Sequence, residues 1–391
     1  MKIKFNLING GTCTRLKLFG EDIRKLLISN NWVETYIQQA DYIFINSCSF
    51  LKSKEDYFVQ LIKDSYEIKN NKQKIVVFGC LPSTNPLRIK NIDLEAILFS
   101  RKIEDIVSFF KLKDNIRTPS TIVDNDLNFS QRLIQIVNRL FLRDSTIDFR
   151  LMKKNVYHLK ISEGCSGRCS YCSEKFTTRL KSRKISELRE SFKIGMAAGF
   201  KLFSLNSDDS SSFGKDNNES ISELLSNLIS FSGDFKIALS EFNPQGLSYK
   251  NIVRILSSDK ISYITIPIQS GSQEILSRMR RPYQINMVLT RIKEIIKLNP
   301  KLKINTHLIV GFPGETSKDF NKTLDIVKSG LFDRIKVFKY SDRPGTEASN
   351  FSNKIDERTK IIRAKKLQKS ILINSFKKLD FANFLLNLNQ I

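Results

Sequence analysis

Between residues 156 and 338, six short apolar segments (157–161, 202–205, 235–239, 263–268, 303–310 and 334–338) alternate with longer stretches whose apolar residues recur at helical spacing. Strands separated by helices return past the helix before pairing, so neighbouring strands run parallel. The pattern predicts an α/β fold with ligand sites at the carboxyl ends of the strands. The first hundred residues read the same way, with apolar segments at 2–8, 42–45 and 75–78 and helical spacing at 22–30 and 54–68. At 391 residues the chain is long enough for two or three domains with their own cores.

Composition excludes several classes. With 41% hydrophobic and 27% charged residues the chain is neither fibrous nor disordered. No apolar run reaches the roughly 18 residues of a membrane span, and the start lacks the apolar core of a signal peptide. The expectation is a soluble, cytoplasmic protein with no membrane partner. The two histidines, His158 and His307, are too few and too far apart for a His-rich metal site, and they make a Ser-His-Asp triad a poor reading. The net charge of +24 suits a polyanionic partner, although Lys is spread along the chain as a biased base composition would also spread it.

The six cysteines fall into two trios, Cys13, Cys48, Cys80 and Cys165, Cys169, Cys172. Such grouping in an intracellular chain points to metal or redox chemistry rather than disulfides. The second trio has C-x3-C-x2-C spacing on a loop leaving a strand. A cubane iron–sulfur cluster held by three thiolates leaves one iron open. An open iron can chelate the amino and carboxylate groups of S-adenosylmethionine, whose reductive cleavage releases a 5′-deoxyadenosyl radical. Ser166 and Gly167 are small enough for the loop to wrap a cluster, and Tyr171 stands where it can lie near the adenine. The competing reading, a zinc knuckle, wants a fourth ligand, for which His158 is the nearby candidate.

In the first trio each cysteine follows an apolar segment, and the gaps of 35 and 32 residues suit one βαβ unit each. Parallel strands would bring the three loops together, where three thiolates could hold a second cluster. Buried core cysteines are the alternative.

These motifs resemble the radical S-adenosylmethionine methylthiotransferases over nearly the whole chain. The resemblance rests on the cysteine triplet and on Asp41-Tyr-Ile-Phe-Ile-Asn-Ser-Cys-Ser-Phe, Val76-Val-Phe-Gly-Cys, Ile266-Pro-Ile-Gln-Ser-Gly-Ser, Arg278-Met-Arg-Arg-Pro, Ile309-Val-Gly-Phe-Pro-Gly-Glu-Thr and Tyr340-Ser-Asp-Arg-Pro-Gly-Thr. It implies an N-terminal flavodoxin-like methylthiotransferase domain with a parallel sheet (1–112), a linker (113–153, with a helix-like piece at 131–142), a partial (β/α)6 radical SAM barrel (154–345) and a C-terminal helical segment (346–391). It also implies two [4Fe-4S] clusters on the six cysteines and S-adenosylmethionine bound near Tyr171, Asp209, Gln269, Ser270, Ser272, Gly311, Gly314 and Glu315. For the loop at 207–216 a solvated Ser-rich turn is the competing reading, and for the glycine segments a plain Gly/Pro turn.

In the mechanism that the resemblance implies, one S-adenosylmethionine methylates a sulfur on the first cluster. A second is cleaved at Cys165, Cys169 and Cys172, and its radical takes a hydrogen from substrate before the methylthio group is captured. An electron donor such as flavodoxin or ferredoxin is expected. Two departures stand out: Thr12 precedes Cys13 and Leu16 stands where the family has Asn. The chain is also read as lacking the family's C-terminal TRAM domain, because only a helical segment, 356–388, follows the barrel. The motifs divide between the ribosomal-protein and tRNA branches, and the expected substrate is a polypeptide side chain, with tRNA adenosine as the alternative. A radical enzyme that transfers no sulfur and a zinc-binding RNA module are the readings outside the family.

Overall fold

The computed structural model describes residues 2–90, 96–113 and 156–377, and the expected linker from residue 114 onward lies outside them. The N-terminal sheet contains β1 (Lys4–Ile8), β2 (Val33–Glu34), β3 (Tyr42–Ser47), β4 (Lys74–Gly79) and β5 (Ile97–Phe99). Its order is β2-β1-β3-β4-β5 with every pair parallel, the flavodoxin-like arrangement. Helices cover both faces, which is why β3 and β4 read as continuous apolar runs. Phe44, Val76 and Phe78 pack with Phe19, Ile23 and Leu27 of helix Thr14–Ser29 on one face. Ile43, Ile45, Ile75 and Val77 pack with Phe58 and Ile62 of helix Lys52–Ile68 on the other.

Two details differ from the sequence expectation. The two-residue edge strand β2 lies between the first helix and β3, so the first gap holds more than a single βαβ unit. The first helix begins directly after Cys13, because Leu16, Leu18 and Phe19 already face the core.

The second sheet contains β6 (Val156–Lys160), β9 (Leu202–Asn206), β10 (Lys236–Leu239), β11 (Ile261–Thr265), β12 (Lys303–Val310) and β13 (Arg334–Lys339), all parallel and in sequential order. Each connection carries a helix, which gives the topology of a partial (β/α)6 barrel. Between β6 and β9 a small antiparallel ladder, β7 (Ser162–Glu163) with β8 (Lys181–Ser182), closes the base of the loop that carries Cys165, Cys169 and Cys172. Helix Glu357–Lys377 packs on the barrel through Ala364, Leu367 and Ile371; the rest of the expected C-terminal helical segment lies outside the described residues. Among the described residues no helix is long and apolar enough to cross a membrane.

Candidate functional site

The structure brings Cys13, Cys48 and Cys80 to the carboxyl ends of β1, β3 and β4, three adjacent strands around the point where strand order reverses. Open α/β sheets bind ligands at such a point. Gly79 makes the convergence possible. Its φ is +108°, and a Cβ there would lie 2.5 Å from the Ser47 carbonyl oxygen, so only glycine lets the end of β4 close on that of β3. The Cys80 amide then donates to the Ser47 carbonyl at 2.9 Å. Cys48 and Cys80 are buried and Cys13 is exposed, and all six cysteines are free thiols. Burial, reinforced by the neighbouring Cys13, pushes the Cys48 thiol up to about 12.

The second trio lies on the loop after β6. Gly167 donates its amide to Cys165 Sγ at 3.1 Å, and a Cβ on it would sit 3.1 Å from that sulfur and 4.0 Å from Cys169 Sγ. Burial pushes the Cys165 thiol up and the Cys172 thiol up to about 12. Thiols that burial holds protonated and that repel one another once ionised suit a multivalent cation, which replaces the protons on binding. Among the described residues no group of three His, Cys, Asp or Glu side chains is arranged to hold a single metal ion. A cubane asks for a different arrangement, because each thiolate binds its own iron.

Several residues fix this loop. Ser170 donates its amide to the Met279 carbonyl at 3.1 Å and its hydroxyl to the Arg278 carbonyl at 2.8 Å. Buried Arg281 donates to Cys169 Sγ at 3.4 Å and to the Pro267 carbonyl at 2.8 Å. Tyr171 lies beside Phe312, with ring centroids 6.4 Å apart. Asp209 turns its carboxylate inward. It accepts from the Ser211 amide and hydroxyl at 3.0 and 2.8 Å and from the Ser212 hydroxyl at 2.7 Å, and Cys165 Sγ lies 3.6 Å away. The loop at 207–216 is therefore a packed wall of the site rather than a solvated turn.

The other expected binding residues divide. Gln269 has φ +62°, unusual for a side-chain-bearing residue, and its buried Oε1 has no hydrogen-bond partner in the protein. The Ser207 and Ser210 hydroxyls beyond β9 are buried and unpartnered as well. Ser272 instead donates its hydroxyl to Asp319 at 2.5 Å, and Ser270 lies 3.4 Å from the Thr323 hydroxyl, so both bind the loop to helix Ser317–Lys328. A Cβ on Gly311 would meet Lys360 at 2.3 Å and one on Gly314 would meet Arg278 at 2.6 Å, so their close approaches are to side chains of this chain. Glu315 accepts from the Gly311 amide at 2.8 Å and from Arg363 at 2.6 Å, which fastens the loop to the C-terminal helix.

An ionic network that the sequence reading missed joins the two trios. Buried Asp208 accepts two hydrogen bonds from Arg101, one from Arg15 and one from the Gly164 amide at 2.6 Å. Arg15 is two residues from Cys13 and Gly164 adjoins Cys165. Burial alone would push the Asp208 carboxyl up, but the two guanidiniums outweigh it and hold it well below the usual carboxylate range. Arg101 also binds Glu174 at 3.1 Å, and Glu174 lies 3.9 Å from Cys80 Sγ. Elsewhere on the interface Lys160 binds Asp22 at 2.5 Å, and Arg343 reaches from beyond β13 to Glu55 and to the Phe50 carbonyl at 2.7 Å. The carboxyl ends of both sheets are thereby fastened to a common interface.

The chain matches the radical SAM superfamily over residues 159–327, and uncharacterized protein family UPF0004 over residues 13–100. Among its relatives, the ribosomal protein uS12 methylthiotransferase RimO of Pelobacter propionicus is 31% identical over 96% of this chain and 83% of its own. The threonylcarbamoyladenosine tRNA methylthiotransferase MtaB of Thermotoga maritima is 29% identical over 82% of this chain and 71% of its own. In fold, the chain is similar to the radical S-adenosylmethionine methyltransferase TsrM of Kitasatospora setae, solved with cobalamin and a [4Fe-4S] cluster. That likeness has a TM-score of 0.61 at 11% identity and covers 89% of this chain and 74% of the other. With the two family matches falling on the two sheets, and with that identity across nearly its whole length, the chain belongs to the radical S-adenosylmethionine methylthiotransferases, enzymes that work with S-adenosylmethionine and a [4Fe-4S] cluster.

Proposed function

We propose that this methylthiotransferase holds two clusters, a radical-generating one on Cys165, Cys169 and Cys172 and a sulfur-carrying one on Cys13, Cys48 and Cys80, and that its substrate is a polypeptide side chain. The observation that carries this reading is that the two sets of free thiols lie at facing strand ends, joined by Arg15, Arg101, Asp208 and Glu174. When bound, the clusters and S-adenosylmethionine supply the electron, the radical and the transferable sulfur. The protein's part is to hold those groups and a substrate C–H in register and to keep other hydrogen donors out.

Gln269 Oε1, Glu315 Oε1 and the Ser207 and Ser210 hydroxyls are among the buried groups with no hydrogen-bond partner among the described residues, and they would meet the polar groups of the cofactor, with Tyr171 covering its adenine. Asp209 and Arg281 hold the cysteine loop beneath it. An electron carrier such as flavodoxin or ferredoxin supplies the reducing electron. The polypeptide substrate follows the RimO relatives, of which that of Pelobacter propionicus is 31% identical, against 29% for the MtaB relative. The net charge of +24 and the MtaB relative favour tRNA as the second reading.

The test is turnover of the anaerobically loaded enzyme and two variants with a fragment of ribosomal protein uS12 and with tRNA. Cys169→Ala should stop formation of 5′-deoxyadenosine. Cys48→Ala should leave that cleavage intact but stop the gain of a methylthio group. Methylthiolation of tRNA and not of the fragment would move the substrate to the second reading. Normal methylthiolation by Cys48→Ala would remove the sulfur-carrying role of the first trio.

A further inference from the structure

Glu174, in the short helical turn Glu174–Phe176 directly after Cys172, points away from its own trio toward the other domain. Its side chain is 20% exposed, and Arg101, itself 4% exposed, holds its Oε2 at 3.1 Å. Arg101 is fixed in turn by the two 3.0 Å hydrogen bonds to Asp208, so the carboxylate is anchored at one oxygen by a rigid partner. Its other oxygen, Oε1, lies 3.9 Å from Cys80 Sγ, which in the thiol form is its hydrogen-bond donor. Glu174 thus stands between Cys172, two residues before it in the chain, and Cys80 of the other trio.

That arrangement becomes unfavourable as soon as Cys80 binds iron. A metal-bound cysteine is a thiolate with no proton to donate, so Oε1 would lose its donor and face a sulfur anion inside a largely buried interface. A cation beside Cys80 relieves both problems, and a cubane on three thiolates offers one in its open iron. Resting on the two-cluster reading above, we propose that Glu174 is a fourth, displaceable ligand of the cluster held by Cys13, Cys48 and Cys80, and that it closes the open iron until a sulfur ligand arrives. Displacement exchanges one bond for another: the iron–oxygen bond to Glu174 breaks, an iron–sulfur bond to the incoming thiolate or sulfide forms, and no electron moves. The released carboxylate keeps its Arg101 partner. Carboxylate oxygen is a hard donor and thiolate a soft one, so sulfur has the advantage at an iron already ligated by sulfur.

The experiment uses the full chain with Cys165, Cys169 and Cys172 changed to Ala, labelled with 13C-glutamate, loaded anaerobically with iron and sulfide, and reduced. About four irons per chain establish the cluster on the first trio. Electron–nuclear double resonance should then show a 13C coupling from a carboxylate. Added methanethiol should remove that coupling, and Glu174→Gln should lack it at unchanged iron content. About four irons with no 13C coupling, or a coupling that persists in Glu174→Gln, would overturn the assignment. If Glu174→Gln fails to hold iron, the labelled protein with Glu174 intact decides alone, through the presence of the coupling and its loss on methanethiol. Absence of iron would overturn the cluster itself, and with it any ligand to it, an outcome distinct from a cluster that shows no coupling.

Discussion

Arg101, which follows β5 in the N-terminal domain, grips Asp208 beyond β9 of the barrel through two hydrogen bonds of 3.0 Å each. Both side chains are buried, and Arg15 shares the same carboxylate. Breaking a buried ion pair by removing one partner costs more than the pair contributes, because the other charge is left uncompensated. Asp208→Asn leaves two such arginines. It should destabilise the folded chain by on the order of 3 kcal/mol and expose the domain interface to proteolysis. Denaturant unfolding and limited proteolysis of the cluster-free protein check this, and an unchanged midpoint would contradict it.

Gly79→Ala should be damaging for a local reason. The added Cβ would press on the Ser47 carbonyl, a backbone atom with little room to move, at a φ that L residues rarely adopt. A loss of about 2 kcal/mol or more is expected, together with weaker iron binding by the first trio. Thermal unfolding and iron content measured on the same sample separate the two effects.

Much of this was legible in the sequence because it depends on short-range pattern. Apolar segments ending at Cys48 and Cys80, and the triplet spacing after the segment at 157–161, placed both trios at strand ends. The short strands β2 and β5, of two and three residues, carry too little pattern to be read. The choice of Asp209 over Asp208 shows a different limit. In sequence the two are adjacent and equivalent, and what separates them is partners: Asp209 caps its own turn, whereas Asp208 meets Arg15 and Arg101 from the other domain. Such contacts depend on how the domains pack and leave no local signal. Ser270, Ser272, Gly311 and Gly314 are expected cofactor contacts by the family resemblance, with close backbone approach as the added reason for the two glycines, and neither ground separates approach to a ligand from packing within the chain. The structure shows the packing for each of them.

Asp319 provides a test of pH dependence away from the cysteines. Burial raises its carboxyl, but hydrogen bonds from the Ser272 hydroxyl and from the Thr316 hydroxyl and amide outweigh that and lower it below the usual value. A group with a depressed folded-state pKa stabilises the protein above its unfolded pKa, near 4, and loses that contribution as pH falls through the folded value. Asp319→Asn should therefore cost about 1 kcal/mol at neutral pH through loss of the capping box, and the gap to the parent should narrow as pH falls below about 4. Urea unfolding at several pH values measures it, and a gap that widens on acidification would refute the assignment.

Arg281 should tune the radical-generating cluster. Its guanidinium donates to Cys169 Sγ, and hydrogen bonds to cluster sulfurs favour the reduced, more negative state. Arg281→Met should shift the midpoint potential of the cluster on Cys165, Cys169 and Cys172 to more negative values while iron content is kept. An electron paramagnetic resonance titration of the reduced cluster reports the shift. A potential unchanged or more positive would remove Arg281 from that role.

The central claim is that the two trios of thiols at one interface hold two clusters. Its most direct test is iron and sulfide content of the anaerobically loaded chain beside the variant with Cys165, Cys169 and Cys172 changed to Ala. The account predicts about eight irons per chain in the parent and about four in the variant. About four falling to none would contradict it, leaving Cys13, Cys48 and Cys80 as packing residues and the sulfur without a site.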